Sequence, residues 1–456
     1  MPFVEIKQRA KDLFRISLPV MTEQAFVMFM GLVSSILVAA VGEYAVAAVA
    51  MVDSISNLII AFYAALTTGG TIVVAQYIGR KDTEKAKGAA GQAFILSIGL
   101  SIIILLVFAF FGTHILHLAF ANAADYVMDA AYVFLFIVMF SYPFLAIVQT
   151  GFGLLRGSGD ARTPMMISII MNIINLVLGI VLILGINTPI ITTPSFGVAG
   201  AAWGLLIARI AGAVMVSLYL IFKTKTLRLD SLKWFRPNVS AQKSILRLGV
   251  PTSVESSLFQ LGKIFTMMFV VNMGTYAIAA NAIAGTLLGI INVAGSGFAT
   301  GVMVLCGQKI GRGETEDIKT TALFASIVNI AVMFGVSLIM FLLFEPIVAI
   351  YNVSPETYVF LRQLMFSVFI MQVLFWPWSF ITPAALRTTG DVKYTMTVSI
   401  ITMWAGRIAL GYLLGVVVGL GVLGVWMGMY IDWILRGICF NVRLVNGKWK
   451  GKQLKD

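Results

Sequence analysis

The chain carries one ordered set of landmarks twice. Pro19 with Glu23, Gly42–x–Tyr44–Ala45–x–Ala47–Ala48 and Gln76–x–Ile78–Gly79–Arg80 return 232 residues later. Their counterparts are Pro251 with Glu255, Gly274–x–Tyr276–Ala277–x–Ala279–Ala280 and Gln308–x–Ile310–Gly311–Arg312. At slightly smaller offsets, Leu155–Arg156 and Gly159–Asp160 return as Leu386–Arg387 and Gly390–Asp391, and Gly197–x2–Gly200 returns as Gly421–x2–Gly424. Chance rarely keeps so many landmarks in order, so the chain reads as two homologous halves.

Composition decides which solvent those halves meet. Hydrophobic residues make up 59% of the chain and charged residues 11%, with mean hydropathy +0.96. A soluble protein carries about 25% charged residues. Nearly every stretch between charged loops contains an apolar run of about 20 residues, enough to cross a bilayer. Twelve helical spans are predicted near 14–40, 44–77, 89–112, 125–154, 163–186, 196–222, 244–273, 276–307, 320–343, 355–385, 394–417 and 420–440. No alternation of strand type interrupts them, and open sheet edges are not viable in lipid. The first span follows a basic start without a clear cleavage site and reads as retained. The fold class is therefore all-α and polytopic.

Of the 32 Lys and Arg, all but Arg209, Lys263, Arg362 and Arg407 lie at one set of helix ends. The alternate loops hold Asp125, Asp129, Glu345 and Glu356 instead. The positive-inside rule then predicts both termini and the central linker in the cytoplasm. Six spans per half is an even number, so the repeats are predicted to be parallel. The predicted domains are an N-terminal lobe at 1–222, a linker at 223–243, a C-terminal lobe at 244–442 and a basic tail at 443–456. The net charge of +12 is this topology signal. Basic residues scattered over separate membrane loops do not make a nucleic-acid site.

Two repeats in so apolar a chain predict a transporter with its substrate between the halves. The ordered motifs resemble those of the multidrug and toxic compound extrusion (MATE) family, within the multidrug/oligosaccharidyl-lipid/polysaccharide flippase superfamily. Gly42–Ala48 resembles its glycine–alanine turn after the first helix. Residues 75–81 and 307–313 resemble its paired signatures ending helices 2 and 8, and 155–164, echoed at 386–391, resembles its loop 4–5. The resemblance spans about 15 to 442. It implies an efflux antiporter, not an enzyme, that exports amphipathic or cationic drugs or metabolites against inward H⁺ or Na⁺ by alternating access. It implies no cofactor beyond the coupling ion and a multi-pass protein of the cytoplasmic (inner) membrane of a prokaryote. One duplicated chain holds a complete pathway, so a monomer suffices. No Gly-rich nucleotide site is present for ATP-driven pumping. Cys306 and Cys439 read as ordinary thiols, and His114 with His117 falls short of a metal site.

A charge in hydrocarbon costs at least ~2.5 kcal/mol unless paired or hydrated, which makes it a functional candidate. Glu255 leads, beneath Pro251 among Thr252, Ser253, Ser256 and Ser257. It either takes the coupling H⁺ or Na⁺ or pairs with Lys263 as structural support; the resemblance adds an acid in helix 7 used for coupling. Glu23 is its repeat, and Asp53, one turn from Asn57, is the third cation-coupling candidate. Departures from the family pattern bear on the mechanism. Leu32-Val33-Ser34-Ser35 lacks the helix 1 Asp, Gly179 stands four residues after Asn175 where a second acid is common, and Phe375–Ser379 lacks the helix 10 acid. Lys263, Asn57, Asn172, Asn175, Ser34 and Gln260 are candidate polar residues of a substrate cavity. Met21, Met28, Met267, Phe269, Phe375 and Trp376 are candidate walls, because pliable Met and aromatic faces suit varied flat or cationic ligands. The chief alternative is a flippase for lipid-linked saccharides or another metabolite exporter, whose cavity would need basic residues; Lys263, Arg209 and Arg407 are the few available. A channel or receptor fits less well, since no continuous polar lining or selectivity element is visible.

Overall fold

In hydrocarbon the helix lets each segment satisfy its own backbone. The computed structural model, which describes residues 3–121, 123–187, 192–224 and 226–451, follows that rule. Lys225 of the linker and residues 452–456 of the tail lie outside the described residues. Among the described residues twelve helices are long and apolar enough to cross a membrane. In the first half these are α1 (Val4–Ala39), α2 (Glu43–Gly79), α3 (Thr83–Ala119), α4 (Asp125–Gly157), α5 (Arg162–Leu184) and α6 (Gly197–Lys223). The second half supplies α7 (Val239–Val271), α8 (Thr275–Gly311), α9 (Asp317–Leu342), α10 (Pro355–Thr388), α11 (Val392–Val417) and α12 (Gly421–Val445). A two-residue antiparallel ladder pairs Ile186 with Thr193 and Asn187 with Thr192 in the α5–α6 connection, the one departure from helices and turns among these residues. The repeated glycine turns between α1 and α2 and between α7 and α8 place Gly42 at φ 141° and Gly274 at φ 99°, where a side chain would be strained.

Packing divides the chain into Thr22–Gly249, here the N unit, and Met1–Met21 with Val250–Asp456, the C unit. In the N unit α2 packs on α3 and α4, α4 on α6, and α6 on α5; in the C unit α8 packs on α9 and α10, α10 on α12, and α12 on α11. The contact scheme is thus duplicated along with the sequence. The unit boundaries do not follow the linker. They fall inside α1 and α7, beside Pro19 and Pro251, where each helix loses a backbone hydrogen bond.

Glycines explain how the early turns of α1 and α7 are held. In the C unit a Cβ on Gly301 of α8 would strike Ser17 Oγ, and one on Gly297 would lie 2.8 Å from the Ser17 carbonyl. At the repeat position in the N unit, a Cβ on Gly69 of α2 would collide with the Ile245 carbonyl and reach within 3.0 Å of the Gly249 nitrogen. Small residues permit this approach of backbones. Gly301→Leu is expected to destabilise the protein by roughly 3 kcal/mol through overpacking, read as a lowered Tm in detergent. Gly335→Leu, whose Cβ meets nothing within 4 Å, is the control expected to leave Tm unchanged.

The linker docks on the N unit. Gln92 Nε2 donates to the Arg236 carbonyl at 2.8 Å, while Gln92 Oε1 accepts from Asn238 N at 3.0 Å and Gln242 Nε2 at 2.9 Å. Trp234 is buried against Gly91, with Lys233 Nζ 4.1 Å from its ring centre.

Candidate functional site: two intramembrane cavities

The repeated motifs meet one another. Arg156 Nη2 donates to both Glu23 oxygens at 2.6 Å. At the repeat position, Arg387 Nη2 donates to Glu255 Oε1 at 2.7 Å. Asp160 accepts from Thr163 N at 3.0 Å in the first turn of α5 and from Tyr219 Oη at 3.0 Å, and its counterpart Asp391 pairs with Arg443 at 2.8 Å. Glu255 therefore does not pair with Lys263. Eight helical residues separate the two by about 12 Å along the axis, beyond the reach of an ion pair. No cluster of three or more His, Cys, Asp or Glu that could hold a metal occurs among the described residues, around Glu255 or elsewhere.

The N unit contains a cavity of about 410 Å³ bounded by α1, α2, α4, α5 and α6. Ser34, Asp53, Asn57, Asn172 and Asn175 all line it, as does Arg209. Asp53 has no ion pair or hydrogen bond among the described residues and is exposed to the cavity. Arg209 is buried, donates to Ser141 Oγ at 2.5 Å, and feels the Asp53 charge without reaching it. Asn172 Nδ2 donates to the Ser168 carbonyl at 2.8 Å, which secures its side chain to α5.

The C unit contains a matching cavity of about 510 Å³ bounded by the repeat helices α7, α8, α10, α11 and α12. Lys263, Met267 and Trp376 line it. So does Arg407, named from the sequence only among the few bases a flippase cavity could use. It lies in a π-helical stretch of α11, Met403–Leu410, a distortion often found where a helix must aim a side chain. Its Nε is 3.6 Å from Asp432 Oδ2, while Arg436 holds Asp432 Oδ1 at 2.9 Å. Two arginines thus share one carboxylate.

The other candidates lie elsewhere. Glu23, Glu255, Gln260, Met21, Met28, Phe269 and Phe375 are absent from the linings of both cavities. Met21 instead packs on Gly297, and Phe269 meets Tyr412 with ring centres 5.3 Å apart. Phe375 packs against the core of the C unit. Phe259, Phe380, Asn281, Asn292 and Trp426 line the C-unit cavity without having been singled out. The repeat pointed to other positions: Ser34, Asp53 and Asn57 align with Thr266, Gly285 and Gly289, which line the C-unit cavity, whereas Phe259, Asn281 and Asn292 align with the apolar Val27, Val49 and Ile60.

The MatE family model matches residues 19–181 and again 251–413, the same 232-residue step as the sequence repeat. The chain belongs to the MATE family. MATE proteins are transporters rather than enzymes. Among MATE relatives, an uncharacterised transporter, YisQ, of Bacillus subtilis is 25% identical over 97% of this chain and 94% of its own length. A probable multidrug resistance protein, NorM, of Thermotoga maritima is 25% identical over 99% and 95%. Crystal structures of a MATE in the straight and bent conformations superpose with TM-scores of 0.86 and 0.85, each at 24% identity. The first covers 96% of this chain and 97% of that one; the second covers 98% of both. The fold is therefore that of a twelve-helix MATE transporter.

Proposed function

We propose that this MATE transporter is a secondary active efflux antiporter, exporting small amphipathic molecules by alternating access in exchange for inward H⁺ or Na⁺, with Asp53 as the coupling carboxylate. One observation carries the reading. Among the described residues Asp53 is the sole carboxylate lining either large cavity, whereas Glu23 and Glu255 are engaged by Arg156 and Arg387. With Asp53 ionised, its charge balances that of Arg209, and the cavity can accept a cationic solute among the Asn57, Asn172 and Asn175 amides. Once H⁺ or Na⁺ neutralises Asp53, Arg209 leaves the cavity positive, which expels that solute. Coupling ion and substrate then disfavour each other's binding, as antiport requires.

Both termini are proposed to face the cytoplasm, across the inner membrane of a prokaryote, with one chain forming one pathway. The multidrug names of relatives such as the Thermotoga protein support an amphipathic substrate. A flippase for lipid-linked saccharides is the second reading, favoured by the meeting of Lys263 and Arg407 in one cavity.

The test is efflux of a fluorescent cationic dye from proteoliposomes of known orientation under separate H⁺ and Na⁺ gradients. Export driven by one inward gradient is expected, and that gradient names the ion. Absence of dye movement under both would overturn the cationic-drug reading and leave lipid-linked or other metabolite substrates.

A further inference from the structure

The two cavities occupy equivalent places in the repeat but differ in charge: Asp53 and Arg209 line the first, Lys263 and Arg407 the second. Asp53 of the N-unit cavity corresponds to Gly285 of the C-unit cavity, both on the lining. Gly31 and Asn175 in the first correspond to Lys263 and Arg407 in the second, again all on the lining. The C-unit lining thus holds two bases and no carboxylate, where the N-unit lining holds one of each.

Neither base has a carboxylate to itself. Lys263 is exposed to the cavity, has no carboxylate within ion-pair reach among the described residues, and holds its Nζ 5.2 Å from the centre of the Phe259 ring. Arg407 is more than nine-tenths buried, and its Nε finds no hydrogen-bond acceptor. The only carboxylate beside it, Asp432, is shared with Arg436. An uncompensated charge in such a place is costly unless a counter-charge visits it.

The neutral groups point the same way. Asn281 Oδ1 accepts from Trp426 Nε1 at 2.8 Å and Asn292 Oδ1 accepts from Gln372 Nε2 at 2.7 Å. Each amide oxygen already accepts one hydrogen bond; Asn281 Nδ2 donates one hydrogen to Met267 Sδ at 3.6 Å, and each NH₂ group has a further N–H to give. Trp433 Nε1 is a further buried donor without an acceptor. Flat surfaces complete the site: Trp376 stacks on Phe380 with centroids 4.6 Å apart and planes at 16°, and Phe259 lies 5.0 Å beneath Arg407.

We infer that the C-unit cavity is a binding site for a small organic anion carrying an aromatic ring, its acidic group held by Lys263 and Arg407 and its ring by the aromatic wall. The inference rests on the transporter reading for the cavity being a substrate site, and it adds a substrate class that a cationic-drug exporter does not require. A carboxylate or sulfonate would receive charge-assisted hydrogen bonds, while the ring would take the surface that Trp376 and Phe259 offer.

The test measures binding rather than transport, so it is independent of ion coupling. The full chain in nanodiscs of zwitterionic lipid, where no headgroup supplies a net anion, is titrated with 2-naphthalenesulfonate, 2-naphthalenemethanol and 2-naphthylmethylammonium. Binding is followed by tryptophan fluorescence and calorimetry. The sulfonate is expected to bind at least tenfold tighter than the ammonium. Lys263→Gln is expected to weaken the sulfonate about tenfold and leave the alcohol unchanged, and Lys263→Arg to restore it. Equal or tighter binding of the ammonium to wild type overturns the proposal without any variant needing to fold. So does sulfonate binding indifferent to Lys263→Gln. In either case gradient-driven dye efflux, measured separately, still decides the antiporter reading.

Discussion

Asp53→Asn is expected to abolish gradient-driven efflux, cutting the coupled rate by tenfold or more, while the protein folds and inserts as wild type. The side chain makes no ion pair or hydrogen bond among the described residues, so removing its charge breaks no contact. The isosteric amide leaves the buried Arg209 charge without its counter-charge, so a modest loss of stability is expected while the fold is retained. Arg209 remains tied to Ser141. What is lost is the one position in the N-unit cavity whose charge H⁺ or Na⁺ can cancel. The cavity then stays positive through the cycle, as in the ion-bound state. The check is dye efflux under each cation gradient, alongside Tm and size-exclusion profiles in detergent. Coupled efflux that survives Asp53→Asn would transfer the coupling role to another carboxylate.

Arg387→Met is expected to destabilise the protein by about 3 kcal/mol, because it strands the Glu255 carboxylate in a site where its side chain is only 11% exposed. Glu255→Met alone is expected to do the same by stranding Arg387. The double variant should recover most of the loss, since replacing a whole buried pair by apolar side chains is often close to neutral. Thermal stability in detergent reads these three proteins against wild type. The double variant also separates two roles for Glu255. If the pair holds α7 and α10 together, a stable double variant keeps its gradient-driven efflux. If Glu255 is the coupling carboxylate, the double variant is stable and inactive. Glu23 and Arg156 form the same pair in the N unit, so Arg156→Met should show a comparable loss.

Much of this architecture was legible before any coordinates. Helix number and approximate ends follow from the length of apolar runs, because hydrocarbon thickness sets how many residues a crossing helix needs. The predicted span at 44–77, for example, sits within α2, Glu43–Gly79. The polar cavity residues of the first half were also readable, since Ser34, Asp53, Asn57, Asn172 and Asn175 are polar groups inside apolar spans and share one cavity. The spans ran short at several polar ends. α3 begins at Thr83 rather than near residue 89, because Asp82 caps it by accepting from Lys85 N at 3.0 Å. Hydropathy does not register a cap.

The sequence by itself determined the solvent, the helices, the duplication and the family, all properties of local composition or of order along the chain. Tertiary structure alone decided which charges meet. Glu255 lies 132 residues from Arg387, and Glu23 lies 133 from Arg156. Lys263 and Arg407, which looked like isolated bases on separate helices, line one cavity, while Lys263 and Glu255, neighbours on one helix, stay apart. The reason is geometric. A helix spaces its own side chains by a rigid 1.5 Å rise, whereas contact across helices depends on how the bundle closes, and no local pattern encodes that distance.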